Sequence, residues 1–104
     1  MRKVAASRVY FSTYDYKINQ IVEISSQKVF IARDLKHEEP MTEWLPGAII
    51  LTNGKDLSIE NIKHISDLYS FKTIQDSNII YAWHVADFDH TTGNILSKNI
   101  SLIK

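Results

Sequence analysis

The stretch SIENIKHISDLY, residues 58–69, decides the fold class. Ile59, Ile62, Ile65 and Leu68 recur every three residues, with Tyr69 beside the last, which is the apolar stripe of an amphipathic helix. Ser58 supplies a natural N-cap oxygen, and Glu60 sets a negative charge in the first turn, where the helix dipole favours it. The spacing predicts a helix that exposes Asn61, Lys63 and His64. Everywhere else the period is two, the period of strands.

Upstream, Val4 to Phe11 reads as a strand rich in β-branched and aromatic residues, ending in a turn over Ser12 to Asp15. INQIVEIS (18–25) puts Ile18, Val22 and Ile24 on one face, and KVFIARDL (28–35) puts Val29, Ile31 and Leu35 in phase. The polar pair Ser25-Ser26 between them predicts a hairpin. AIILT (48–52) is too short for a helix and too uniformly apolar for a half-exposed strand, so it is expected to be covered on both faces, with Asn53-Gly54 as the turn that ends it. Downstream, NIIYAWHVADF (78–88) returns to strand chemistry and HTTGN (90–94) turns it back toward ILSKNISLIK (95–104), where Leu96, Ile100 and Leu102 share a parity. The expectation is a single α+β domain over residues 1–104: a mostly antiparallel sheet or small barrel-like β-domain of about six strands with one α-helix.

Composition narrows the function classes. With 44% hydrophobic and 23% charged residues the chain has the make-up of a globular domain, and 104 residues leave room for one core. Cysteine is absent, which removes disulfides, thiolate metal sites and a thiol nucleophile, and suits a reducing, cytoplasmic setting. Twelve basic residues cancel twelve acidic ones, so the positive field of a nucleic-acid binder is missing. No window has the length of a signal peptide core or a membrane span, and a membrane partner is not expected.

The usual catalytic patterns fail one by one. The histidines are His37, His64, His84 and His90, and no HxH or HExxH spacing joins them. The nearest approach to a site is His84, Asp87, Asp89 and His90 around the last hairpin, which supplies too few converging ligands for a closed metal shell. Glu38 and Glu39 are adjacent in sequence and point in no common direction that acid and base would need. No strained GxSxG turn presents a serine, and Gly47, Gly54 and Gly93 are too scattered to cradle a phosphate. These absences point away from an enzyme, a cofactor and a metal.

Aromatic residues remain. Tyr10, Phe11, Tyr14, Tyr16, Tyr81 and Trp83 fall in strands near the two ends of the chain. If the first strand and the strand after the helix were neighbours they would form an aromatic surface for a partner, although cross-strand packing is the commoner use of such rings. Trp44, Tyr81 and Trp83 are the candidate interaction residues. Trp44 sits in HEEPMTEWLPGAII (37–50), where Pro40 and Pro46 restrict the backbone before each of them. Residues 36 to 46 are therefore expected to be extended, with Trp44 packed against the sheet and Glu38 and Glu39 in water.

MRKVAASRVYF, IVEISSQKVF and EEPMTEWLPGAII together resemble the start of amidohydrolase-superfamily enzymes, in which N-terminal strands build a small β-domain and an apolar strand after a Leu-Pro-Gly turn leads into the metal-bearing barrel. Leu45-Pro46-Gly47-Ala48-Ile49-Ile50 matches that turn and strand. The resemblance covers residues 1 to 51 and ends where the family has Pro-Gly-Phe and a metal-binding HxH, for this chain continues Thr52-Asn53-Gly54-Lys55-Asp56. Residues 52 to 104 are too few for a barrel of about 250 residues, so no catalytic residue is carried over. The resemblance implies a free-standing bacterial β-domain without the active site. Two functions follow as expectations: a non-enzymatic interaction or accessory module, with self-association as a homodimer as one form of it, or a small-molecule binding or catalytic domain using the last hairpin and the helix, with His84, Asp87, Asp89 and His90.

Overall fold

A computed structural model describes residues 2–11, 15–37, 39–52, 63–68, 80–97 and 99–104. Nine strands are present among them: β1 (Arg2–Tyr10), β2 (Tyr16–Ser25), β3 (Lys28–Asp34), β4 (Thr42–Trp44), β5 (Ala48–Thr52), β6 (Tyr81–Val85), β7 (Phe88–Asp89), β8 (Asn94–Ile95) and β9 (Ile100–Leu102). The main sheet runs β3-β2-β1-β5-β6-β9, with β4 pairing to β1 as well, and β7-β8 form a separate hairpin. Pairing is antiparallel except that β4 and β5 both lie parallel to β1, β4 along Lys3–Ala5 and β5 along Arg8–Tyr10. The sheet curls until the Val29 N–H at its β3 edge donates to the Ile80 carbonyl before β6, at 2.7 Å.

The fold is mainly β, which corrects the α+β expectation. Of the stretch that carried that expectation, Ser58 to Ile62 and Tyr69 lie outside the described residues, and what is seen is a single turn, α1 (Ile65–Leu68). The reason is competition for backbone bonds. Lys63 and His64 are extended, His64 bridging to Asn94 while the Lys63 carbonyl accepts from Ile95 N–H and the Ile65 N–H donates to Gly93. A helix running back through Lys63 and His64 would have to give up the bridge to Asn94, and the Asp67 carboxylate fixes the start of the turn by accepting from the Lys63 and His64 N–H groups. Those two bonds hold the Asp67 carboxyl below its usual range. No helix among the described residues is long and apolar enough to cross a membrane.

Two apolar clusters lie on opposite faces of the sheet. Val4, Ala6, Val9, Val22, Ile24, Leu45, Ile49, Leu51, Ala82 and Ile103 form the first; Tyr10, Ala48, Ile50, Ile65, Trp83, Val85, Ile95 and Ile100 form the second. β5 feeds both, and all five of its residues are buried, as its unbroken apolar run requires.

The simple alternation fails at two places, each with a backbone cause. Asn19 has a φ of 50°, a left-handed conformation that asparagine tolerates better than most residues. It lies opposite Ser7 between the Ala6↔Gln20 and Arg8↔Ile18 pairs, and β1 changes parity there, from Val4 and Ala6 to Val9 in the first cluster. Ile18 consequently ends up 60% exposed rather than in phase with Val22 and Ile24. The second break is a bulge at Phe30: Ile24 pairs with Val29 but Glu23 pairs with Ile31. The extra residue moves Val29 and Ala32 to the inner face together and leaves Ile31 on the outer one. Near the C-terminus Leu96 departs from the expected parity, exposed while Ile95 is buried through the β7-β8 hairpin, whereas Ile100 and Leu102 keep theirs in the second cluster. The expected β2-β3 hairpin is present, its two-residue loop being Ser26-Gln27, both with positive φ (52° and 71°).

Candidate functional site

The last hairpin does not gather its polar groups into a cleft. His84 donates from Nε2 to the Pro46 carbonyl at 2.6 Å, tying β6 to the turn before β5. Asp87 accepts from the Ser97 hydroxyl at 2.5 Å, Asp89 accepts from the Thr91 N–H at 3.0 Å, and His90 is exposed. His64 is held at both nitrogens. Its Nε2 donates to the Thr92 carbonyl (2.8 Å), because a carbonyl can only accept, and its Nδ1 accepts from the Ser66 N–H (3.1 Å). Asp89 and His64 close local turns, which is the structural use of polar side chains there, and His84 and Asp87 tie neighbouring segments together. Among the described residues no three His, Asp or Glu side chains are grouped so as to hold a metal ion.

The three candidate interaction residues part company. Trp83 is 5% exposed, packs in the second cluster and donates from its indole N–H to the Thr52 hydroxyl at 3.0 Å, so it is a core residue and not a contact surface. Tyr81 is half-buried opposite Thr52 in the β5-β6 ladder. The imagined aromatic surface does not form, since β5 separates β1 from β6. Tyr10 instead packs against Tyr16 and edge-on to Phe88, with centroids 5.1 and 5.3 Å apart. Burial raises the Tyr10 hydroxyl above its usual range. Trp44 is 52% exposed, against the expectation of a buried indole. The segment around it is not extended throughout: Pro40 and Met41 make a turn, and only Thr42–Trp44 is strand, β4, which joins the sheet beside β1 and sets Trp44 at the sheet margin next to Ala5.

Register assembles a face around Trp44. Cross-strand partners share a face, so one row across β4-β1-β2-β3 reads Trp44, Ala5, Ile21, Arg33 and the next reads Thr42, Lys3, Glu23, Ile31. Arg33 donates from Nε to Glu23 at 3.1 Å, and its two terminal nitrogens grip both oxygens of Glu39 at 2.5 and 2.7 Å. Lys3 Nζ stands 3.8 Å from the same carboxylate. Glu39 belongs to the connection between β3 and β4, so these contacts carry its carboxylate over β2, above the fully buried Ile21.

Glu39 was expected in water, yet its side chain is only 17% exposed. Glu38, its expected companion, lies outside the described residues. The bidentate bond to Arg33 lowers the Glu39 carboxyl to about 2, and the same bond raises the Arg33 guanidinium further above neutrality. Around this ionic centre Ile31 and Trp44 remain exposed, and Met41, at a φ of 62°, is 91% exposed in the turn that leads into β4. Nothing local in sequence pairs residue 33 with residue 39.

Comparison with protein-family models, with curated proteins and with solved structures returns no match.

Proposed function

We propose that this chain is a non-enzymatic interaction module that docks a protein partner through the outward face of β4-β1-β2-β3. The observation that carries the reading is the pair of large apolar side chains left in water there, Trp44 and Ile31, around an arginine already fixed in place, with the exposed Met41 in the turn that leads into β4. Tryptophan and arginine are the residue types most enriched at the energetic centres of protein interfaces. Burying a tryptophan and a methionine against a partner removes apolar area that folding has left exposed, and the strand scaffold holds the contacts without a large ordering cost. The resemblance to the amidohydrolase β-domain suits this reading, as a β-domain acting apart from a barrel.

Self-association is the form to test first, because β4 and β3 are outer strands among the described residues and a second copy is always at hand. A photo-cross-linking amino acid at position 44 is expected to give a discrete adduct with a second copy or with a partner, while the same group at position 91, on the β7-β8 turn, gives none. Equal labelling from both positions, with a monomer at every concentration by light scattering, overturns the proposal.

A further inference from the structure

We propose that the Arg33–Lys3 pair on the outward face is a carboxylate-binding site which Glu39 occupies from within the chain, and that the docked partner is a protein segment presenting an Asp or Glu between apolar side chains. This rests on the outward face being the docking surface, and adds the chemistry of what it takes.

The two halves of the ion pair differ in how they are held. Arg33 sits inside β3, and its Nε is fixed by Glu23 on β2, so the guanidinium fork is aimed before any carboxylate arrives. Lys3 sits inside β1, paired on both sides by β2 and β4. Glu39, by contrast, comes from a connection outside the strands, next to Pro40 and the positive-φ Met41. The receptor groups are rigid and the occupant is on a loop. Such an arrangement favours exchange of the occupant over movement of the cations.

Removal of Glu39 would leave Lys3 and Arg33 against Glu23 alone, a net positive site flanked by exposed Ile31 on one side and exposed Trp44 on the other. An arginine fork matches a carboxylate in plane and spacing. An incoming carboxylate that also buries apolar neighbours against Trp44 and Ile31 gains contacts that the tethered one lacks, and so can displace it from the arginine fork. Glu39 then sets the threshold: only an acidic group with apolar flanks competes, and isolated carboxylates are turned away.

The test uses the capped peptides acetyl-Leu-Glu-Val-amide and acetyl-Leu-Gln-Val-amide, with sodium acetate as the small carboxylate, followed through the Arg33 side-chain N–H and Trp44 indole resonances. The Glu peptide is expected to shift both resonances of the parent protein, and the Gln peptide neither. Glu39→Gln should bind the Glu peptide about five-fold more tightly, since the internal competitor is gone. Arg33→Met in the Glu39→Gln background should abolish binding, with a dispersed spectrum confirming that the chain is folded. The proposal falls if folded Glu39→Gln binds the Glu peptide no better than the parent, if Glu and Gln peptides bind alike, or if acetate matches the peptide, which would leave the apolar flanks without a role. Because cross-linking at position 44 is measured with Glu39 intact, a docking face can survive the failure of the carboxylate site.

Discussion

Gly47→Ala should be among the most damaging single-methyl additions in this protein. Gly47 has a φ of 82°, and a Cβ built there would lie 2.1 Å from the Val85 carbonyl oxygen and 2.6 Å from that of Ala86. Ordinary carbon–oxygen contacts are about 3.3 Å or longer, so the backbone of β6 and the start of β5 must separate by roughly 1 Å. Neither obstacle is a side chain that could swing away. That separation works against the Ala48↔Val85 pairing and loosens the buried cluster holding both residues.

The left-handed conformation costs a non-glycine residue about 1–2 kcal/mol, and overpacking adds about 1–3 kcal/mol. The loss should be about 2–5 kcal/mol out of a total stability of about 5–15 kcal/mol. Urea unfolding followed by Trp83 fluorescence measures it, with Gly93→Ala as the comparison. Gly93 has a similar φ of 79°, but its added Cβ would meet side-chain atoms, the His64 ring at 2.7 and 3.0 Å and Ile65 Cγ2 at 3.2 Å, which can give way without parting two strands. Gly93→Ala should therefore lose less than Gly47→Ala: the conformational cost, together with the disturbance of the His64 bonds to Thr92 and Ser66. Gly47→Asn separates the two causes, because asparagine tolerates the left-handed region but brings the same Cβ, and it should be no better than alanine. If Gly47→Ala unfolds at the same urea concentration as Gly93→Ala, the close approach of β5 and β6 is not what demands glycine here.

Other expectations rest on single geometric facts. Gln27 occupies the second left-handed position of the two-residue β2-β3 turn, so Gln27→Gly should stabilise the protein by about 0.5–1 kcal/mol and raise the urea midpoint; a lowered midpoint would contradict the turn type. Acrylamide should quench Trp44 emission readily and Trp83 emission poorly, so that Trp44→Phe leaves a blue-shifted, protected signal; strong quenching of that signal would place Trp83 outside the core. Glu39 has a folded-state pKa below its unfolded one, so its ion pair stabilises above the ordinary carboxylate range and is lost as pH falls from about 4.5 toward about 2. The stability gap between the parent and Glu39→Gln should be present at neutral pH and should narrow over that acid window; a gap that widens on acidification would reverse the assignment.

Much of the sheet was legible in the chain because strand character is local. The positions of β1, β2, β3 and β5, the β2-β3 hairpin and the burial of AIILT on both faces all come from the period and residue types of short segments. Phase was legible only where the backbone stays regular. Asn19 and the bulge at Phe30 each shift the parity of the residues beyond them, and sequence alternation carries no mark of a φ of 50° or of one extra residue in a ladder. The helical spacing around Ile65 was real, but it was overruled by Asn94, Gly93 and Ile95, whose backbone bonds hold Lys63 and His64 against β8 before a single turn forms from Ile65. Trp44 and Glu39 were misplaced, and Trp83 was left between packing and a contact surface, for a related reason. Burial depends on which strands become neighbours, and that choice is made by long-range pairing: β4 set beside β1 leaves Trp44 at the margin, β5 set between β1 and β6 draws Trp83 inward, and the chain returning over β2 brings Glu39 onto Arg33. Composition and local pattern determine which segments become strands, whereas the face each side chain meets is decided only when those strands pair, because a one-residue change of register turns every later side chain to the other side.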